Sequence, residues 1–252
     1  TSTDSGESWK IIMNGLDYSR FDWNIPYMKP QYNGGGNCVH WISDIKLSPF
    51  DSDTALFNTG TGLFMITGLA SGDVLVKPFC EGIEETVHLN VYTTPHGRNR
   101  IIDIIGDLGG FAFEDYDSEC ENSFANENGD RYITCLNADL TLSDPEYIVA
   151  TPRGNWTGKT KGGLILSKDC GSTWERLPMP RGLSEFIDQK LDNIEKPNVD
   201  SGWTAISADG KRIMWAVAGG RGFSNKAVCY TDDEGKTWQK SIFTDSSGNS
   251  AD

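Results

Sequence analysis

The stretch IIDIIGDLGGF, residues 101–111, ends an apolar run on a carboxylate and follows it with two glycines and a phenylalanine. Two chemistries suit Asp107 in that place. An aspartate after a strand commonly accepts hydrogen bonds from turn amides. The same carboxyl, displayed at a strand end, can instead hand a proton to a departing oxygen. A second carboxylate, Asp103, lies in the same run, on the same strand face but ~13 Å away at ~3.3 Å per residue.

Trp23, Tyr27, Tyr32 and Trp41 sit in or beside RFDWNIPYMKPQYNGGGNCVHW, a Gly-rich segment without clean alternation that reads as a long loop. Aromatic faces on loops stack on the apolar faces of sugar rings, so these four are the candidate substrate platforms; the alternative is that they fill the loop's own packing. Glu84 and Glu85 form either a polar pair or an ordinary strand start. The acids of DSECENSFANENGD lack the ligand and glycine spacing of a calcium loop, and GGRGFS lacks the lysine and helix of a phosphate loop. His40, His88 and His96 have no zinc spacing and no CxxC pair occurs, so neither a metal site nor a cofactor is expected.

The elements that must position these residues repeat. STDSGESW from Ser2, SKDCGSTW from Ser167 and TDDEGKTW from Thr231 each fit S/T-x-D-x-G-x-S/T-W. In such a unit Asp4, Asp169 and Asp233 staple the turn, the glycine takes a positive φ, and Trp9, Trp174 and Trp238 should be buried as anchors. An apolar strand, a polar turn and a second apolar strand recur as AISADGKRIMWAV, ADLTLSDPEYIVAT and SDIKLSPFDSDTALFNTG. This density of alternation and turn signals predicts antiparallel sheet, with one short helix within LSEFIDQKLDNIEK, residues 183–196.

Repeats of this length and pattern read as β-propeller blades at residues 43–80, 83–115, 136–178 and 203–244, with 1–12 as the last strand of an earlier blade. The expected fold class is therefore an all-β propeller with about four blades present. A ring of seven would need ~300 residues or more, so the chain is expected to be part of a larger protein; it also begins without Met.

The S/T-x-D-x-G-x-S/T-W turn is similar to the Asp-box of sialidases, sortilin-type receptors and xyloglucan-active glycoside hydrolases of family seventy-four. WISDIKLSPFDSD, then GIEETVHLNVYTTPHG, then IIDIIGDLGGF resemble, in order and spacing, the second propeller of those xyloglucanases. The resemblance implies two propellers facing a glucan chain and inversion by two aspartates, one from each. It assigns the general acid to Asp107 and the base to a companion N-terminal propeller outside this sequence. Asp103 is too far from Asp107 to serve, because an inverting pair stands ~6.5–9.5 Å apart. Asp103 and Ile104 stand where the family carries small residues, and Thr94 replaces the first residue of a Pro-Pro pair; an added carboxylate near the acid either raises its proton affinity or marks an altered substrate. The alternative reading is a non-catalytic propeller that binds a glycan or a protein.

The expected partner is thus a polysaccharide. A formal net charge of -14, from 36 acidic and 22 basic side chains, argues against nucleic acid and anionic membranes. No apolar run approaches the ~20 residues of a membrane span, and TSTDSGESW does not read as a signal peptide. Six cysteines (Cys38, Cys80, Cys120, Cys135, Cys170 and Cys229) suit either two or three disulfides of a secreted protein or buried thiols. Cys120 and Cys135 can close the insertion at 118–135. With the glycosylation sequon Asn155-Trp156-Thr157, these features set the expected location as extracellular.

Overall fold

A computed structural model of the chain describes residues 1–12, 21–23, 25–28, 40–83, 86–120, 123–196, 199–218 and 227–250. It is mostly β, with four antiparallel sheets, and divides into two compact units, residues 1–85 and 86–252. No helix among the described residues is long and apolar enough to cross a membrane.

The first unit is built on a meander of β1 (Ile45–Leu47), β2 (Ala55–Thr59), β3 (Gly62–Thr67) and β4 (Leu75–Pro78). Alternation sends Ala55 and Phe57 of β2 and Phe64 and Ile66 of β3 to one face, where Phe57 lies opposite Phe64 and their rings stack at 5.6 Å. Phe21, Ile25 and Met28, the last in a 3-10 turn at Pro26–Met28, close over that face. The β1–β2 turn is held by Asp51, whose Oδ2 accepts from Thr54 Oγ1 at 2.7 Å.

The second unit stacks three sheets: β5 (Val87–Thr93), β6 (Ile101–Gly106) and β7 (Gly109–Phe113); β8 (Cys135–Leu140), β9 (Ile148–Pro152), β10 (Ile165–Ser167) and β11 (Glu175–Arg176); and β12 (Gly202–Ile206), β13 (Ile213–Val217), β14 (Val228–Thr231) and β15 (Gln239–Lys240). The middle sheet is apolar on both faces. Ile148, Ala150 and Ile165 pack with Ile102 and Ile104 of β6, while Val149 and Leu166 pack with Ile213, Trp215 and Val217 of β13. A strand buried on both sides favours an apolar run, here Ile148-Val149-Ala150 of β9, with the buried Thr151 satisfied by donating from Oγ1 to Gly202 O at 2.8 Å. The first strands of the last two sheets are tied by polar side chains: Asn137 Oδ1 accepts from the Thr204 N–H at 2.8 Å and Asp139 Oδ2 from the Ile206 N–H at 2.9 Å.

The three repeated turns carry one hydrogen-bond pattern. In the second copy Ser167 Oγ donates to Asp169 Oδ1 and accepts from the Gly171 N–H, each at 2.8 Å. Asp169 then accepts from the Thr173 N–H at 2.8 Å and from Thr173 Oγ1 at 2.6 Å. Ser2, Asp4, Gly6 and Ser8 repeat this arrangement, as do Thr231, Asp233, Gly235 and Thr237. Two successive left-handed residues are needed, Cys170 at φ 57° and Gly171 at φ 82°, and the matching residues before glycine are Ser5 and Glu234.

The tryptophans differ. Trp174 is buried beside Phe124, ring centroids 4.5 Å apart. Trp238 is half-buried near Trp215 and donates from Nε1 to Pro178 O at 2.9 Å. Trp9, expected inside, is 75% exposed. Residues 1–12 form no strand among the described residues, so its ring closes over only its own turn, about 3.9 Å from the Cβ position of Gly6.

The predicted helix is α1 (Glu185–Ile194). Ser184 caps it by accepting from the Ile187 N–H, and Ile187, Leu191 and Ile194 form its buried stripe. The disulfide expectation for Cys120 and Cys135 is not met: both are buried free thiols, as are Cys170 and Cys229. Burial pushes the Cys120 thiol up to about 11 and those of Cys135 and Cys229 up to about 12. Cys38 lies outside the described residues. The sequon asparagine is a turn staple, with Asn155 Nδ2 donating to Arg131 O at 3.0 Å and Oδ1 accepting from Thr157 Oγ1 at 2.6 Å.

Candidate functional site

Asp107 stands at the tip of the β6–β7 hairpin. Ile105 pairs with Gly109, which leaves Gly106, Asp107 and Leu108 to turn the chain. Asp107 takes φ 64°, a left-handed conformation that costs a non-glycine residue on the order of 1 kcal/mol. Its residue is exposed, and its backbone N–H donates at 2.9 Å to Oγ1 of the buried Thr134. Leu108 is buried beside it, and the Gly109 N–H donates to Ile133 O at 2.9 Å.

The two glycines that follow are fixed by close approach. A Cβ at Gly109 would lie 2.9 Å from Tyr132 O, and one at Gly110 would lie 2.6 Å from Asp103 O and 2.7 Å from the Phe124 ring. Phe111 then turns into the interior. The G-D-L-G-G-F run is thus a tight, docked hairpin tip that presents one carboxylic residue outward.

Asp103 occupies the middle of β6, opposite Val91 and Phe111, and is buried. Its carboxylate meets His88 Nδ1 at 2.9 Å, and His88 Nε2 meets Thr86 Oγ1 at 2.7 Å. His88 thus bridges the buried carboxylate to the Thr86 hydroxyl. A register shift between His88 and Asn90 accompanies this placement. The Asp103 carboxylate is hydrogen-bonded to His88. Sequence reasoning missed His88, because only the pairing of His88 with Ile105 sets it beside this end of β6.

The aromatic candidates lie in the first unit. Trp23 and Tyr27 are half-buried against its core, Trp23 stacked on Phe21 at 5.3 Å and Tyr27 donating to Thr61 O at 3.3 Å. Trp41 is 82% exposed, at φ 55°, with its ring edge-on to His40 at 5.1 Å. Tyr32, Glu84 and Glu85 lie outside the described residues, as does the GGRGFS segment. Asn126 staples the acidic insertion, its Oδ1 accepting from the Asn128 and Asp130 N–H groups at 3.0 and 2.9 Å. Among the described residues there is no cluster of three or more metal-ligating side chains.

No protein-family profile matches the chain. Among curated proteins it is 25% identical over 206 residues to a xyloglucanase of Paenibacillus sp., covering 79% of this chain and 18% of that protein. It is 25% identical over 258 residues to a xyloglucanase of Acetivibrio thermocellus, covering 94% and 27%. It is 27% identical over 184 residues to an oligoxyloglucan-reducing end-specific xyloglucanase of Emericella nidulans, covering 71% and 21%. The GH74 xyloglucanase of Xanthomonas campestris superposes with a TM-score of 0.63 at 22% identity, over 89% of this chain and 28% of that one. The GH74 enzyme of Niastella koreensis gives 0.58 at 19%, over 88% and 27%. The chain spans roughly a quarter or less of the curated relatives it matches. It is, over most of its length, xyloglucanase-like in sequence and GH74-like in fold.

Proposed function

We propose that this chain is part of an inverting glycoside hydrolase acting on xyloglucan or a related β-1,4-glucan, and that Asp107 is its general acid. One observation carries the assignment. An aspartate occupies a left-handed position at an exposed hairpin tip where glycine would serve the turn without strain, and backbone groups of Asp107 and Gly109 dock that tip. Ser5, Cys170 and Glu234 share the left-handed φ in plain turns, so it is the exposure of the Asp107 residue at a docked tip that supports a chemical use of its carboxyl. Sequence likeness to proteins named xyloglucanases supports the substrate class.

In this reading the sheets are propeller blades and the three turns are Asp-boxes, the two in the second unit seating Trp174 beside Phe124 and Trp238 against Pro178. The base comes from a companion N-terminal propeller. Asp103 does not serve, since it is buried and its carboxylate is engaged with His88. Trp41, the most exposed of the described aromatic candidates, is a stacking surface for a sugar ring. A polymeric substrate places the work outside the cell. Reducing-sugar release from a panel of plant glucans, with the anomer of the new chain end read by NMR, tests the reading. Hydrolysis of xyloglucan with inversion is expected; retention would refute the inverting mechanism, and no hydrolysis of any β-glucan by the complete protein would leave the non-catalytic binding propeller in its place.

A further inference from the structure

The hydrogen-bonded series Asp103–His88–Thr86 ends beside the β6–β7 hairpin tip. Val87 pairs with Gly106, so one register step further sets Thr86 at the level of Asp107. We propose that Asp103 and His88 are positioning residues that fix the Thr86 hydroxyl for a hydrogen bond to a hydroxyl of a glucan lying across that tip. The inference rests on the reading of the tip as the place where a glucan binds, and it does not require Asp107 to be the acid.

The series is graded from interior to surface. The Asp103 side chain is 8% exposed and that of His88 54%, and His88 Nδ1 lies 2.9 Å from each carboxylate oxygen of Asp103. His88 Nε2 then meets the Oγ1 of the half-buried Thr86 at 2.7 Å. A threonine hydroxyl has several staggered positions open to it, and a partner at that distance selects one. One proton and two lone pairs leave the hydroxyl able to make a further bond, and a sugar hydroxyl, which both donates and accepts, complements either role. A group held in place before the ligand arrives has little rotamer freedom left to lose on binding. Packing alone does not account for the buried carboxylate. Asp103 lies between Ile102 and Ile104 of β6 and opposite Phe111, where an apolar side chain would avoid the cost of desolvation. The register shift between His88 and Asn90 is of the kind that re-aims a side chain next to a site.

Titration calorimetry of a xyloglucan oligosaccharide into the complete protein, in an Asp107→Asn background, tests this. Thr86→Val keeps the shape and removes the hydroxyl, and His88→Phe keeps a ring and removes the bridge. Each is expected to weaken binding about five- to tenfold, the scale of one hydrogen bond. The double variant should bind no more weakly than either single one, because His88 acts through Thr86. Thr86→Ser should bind as the parent does. With Asp107 intact, Thr86→Val and His88→Phe should raise KM by the same factor at unchanged kcat. His88→Phe leaves the Asp103 carboxylate without its imidazole; if it does not fold, His88→Phe with Asp103→Leu removes both partners together and takes its place. Unchanged affinity in Thr86→Val, additive losses in the double variant, or a lowered melting temperature as the only effect of His88→Phe would overturn the proposal. So would the absence of oligosaccharide binding by the complete protein. Hydrolysis undiminished by Asp107→Asn would instead remove only the assignment of the acid.

Discussion

The second and first repeated turns have the same hydrogen bonds in different surroundings, so Asp169→Ala and Asp4→Ala separate hydrogen bonding from burial. In Asp169→Ala the Thr173 N–H loses its acceptor and Ser167 Oγ its carboxylate partner, beneath a buried Trp174 and Cys170. A hydrogen bond to a charged group contributes ~1.5–3 kcal/mol. Thr173 is exposed and can regain water, so the net loss should be about 2–3 kcal/mol. At ~2–4 °C per kcal/mol for a domain of this size, the melting temperature falls by about 4–12 °C. Asp4→Ala breaks the same bonds beside an exposed Trp9, where water replaces them. Its melting temperature should stay within error of the parent in differential scanning calorimetry. Equal losses in the two variants would refute the argument that packing around the turn sets its worth.

Further outcomes follow from the same geometry. Gly110→Ala should cost more than about 2 kcal/mol, measured by urea unfolding, because its Cβ meets Asp103 O and the Phe124 ring; a neutral result would contradict the close docking of the hairpin. Ellman's reagent at pH 8 should leave Cys120, Cys135, Cys170 and Cys229 unlabelled in the folded protein and label them after denaturation, since all four are buried. Rapid labelling of the native state at these positions would contradict that burial. Hydrogen bonding holds three turn carboxyls low: Asp4 to about 2, chiefly through the Ser8 hydroxyl; Asp233 through the Thr237 amide; and Asp169, where burial pulls upward but the Thr173 and Ser167 bonds outweigh it. Depressed folded-state values mean that the unfolded chain takes up protons first on acidification. Stability from Asp169 and Asp233 is therefore present above about pH 5 and lost as pH falls through about 4 and below, while the fully exposed Asp4 adds little because water competes for its bonds. A melting temperature that rises on acidification from pH 5 to 3 would oppose this.

The antiparallel sheets, the three turns and α1 were legible because each rests on local rules: alternation, a carboxylate with a glycine two residues on, and a serine cap before a stripe at Ile187, Leu191 and Ile194. The second left-handed residue was not, since Ser5, Cys170 and Glu234 share no chemistry and only the closed hydrogen-bond ring demands that conformation. Burial of Trp9 failed for a related reason. A turn motif fixes where the ring starts, whereas the sheet it meets comes from elsewhere in a protein. At the candidate site, Asp107 and its glycines were visible as a motif. The Asp103–His88–Thr86 chain was hidden because it depends on cross-strand register.

The central claim is that Asp107 moves a proton and is not needed to make the turn. The decisive measurement is xyloglucan hydrolysis by Asp107→Asn in the complete protein, alongside its melting temperature. Asparagine tolerates the left-handed conformation and keeps the backbone N–H bond to Thr134, so the melting temperature should hold while kcat falls by ~10²–10⁴-fold. Undiminished hydrolysis by a stably folded variant would contradict the account.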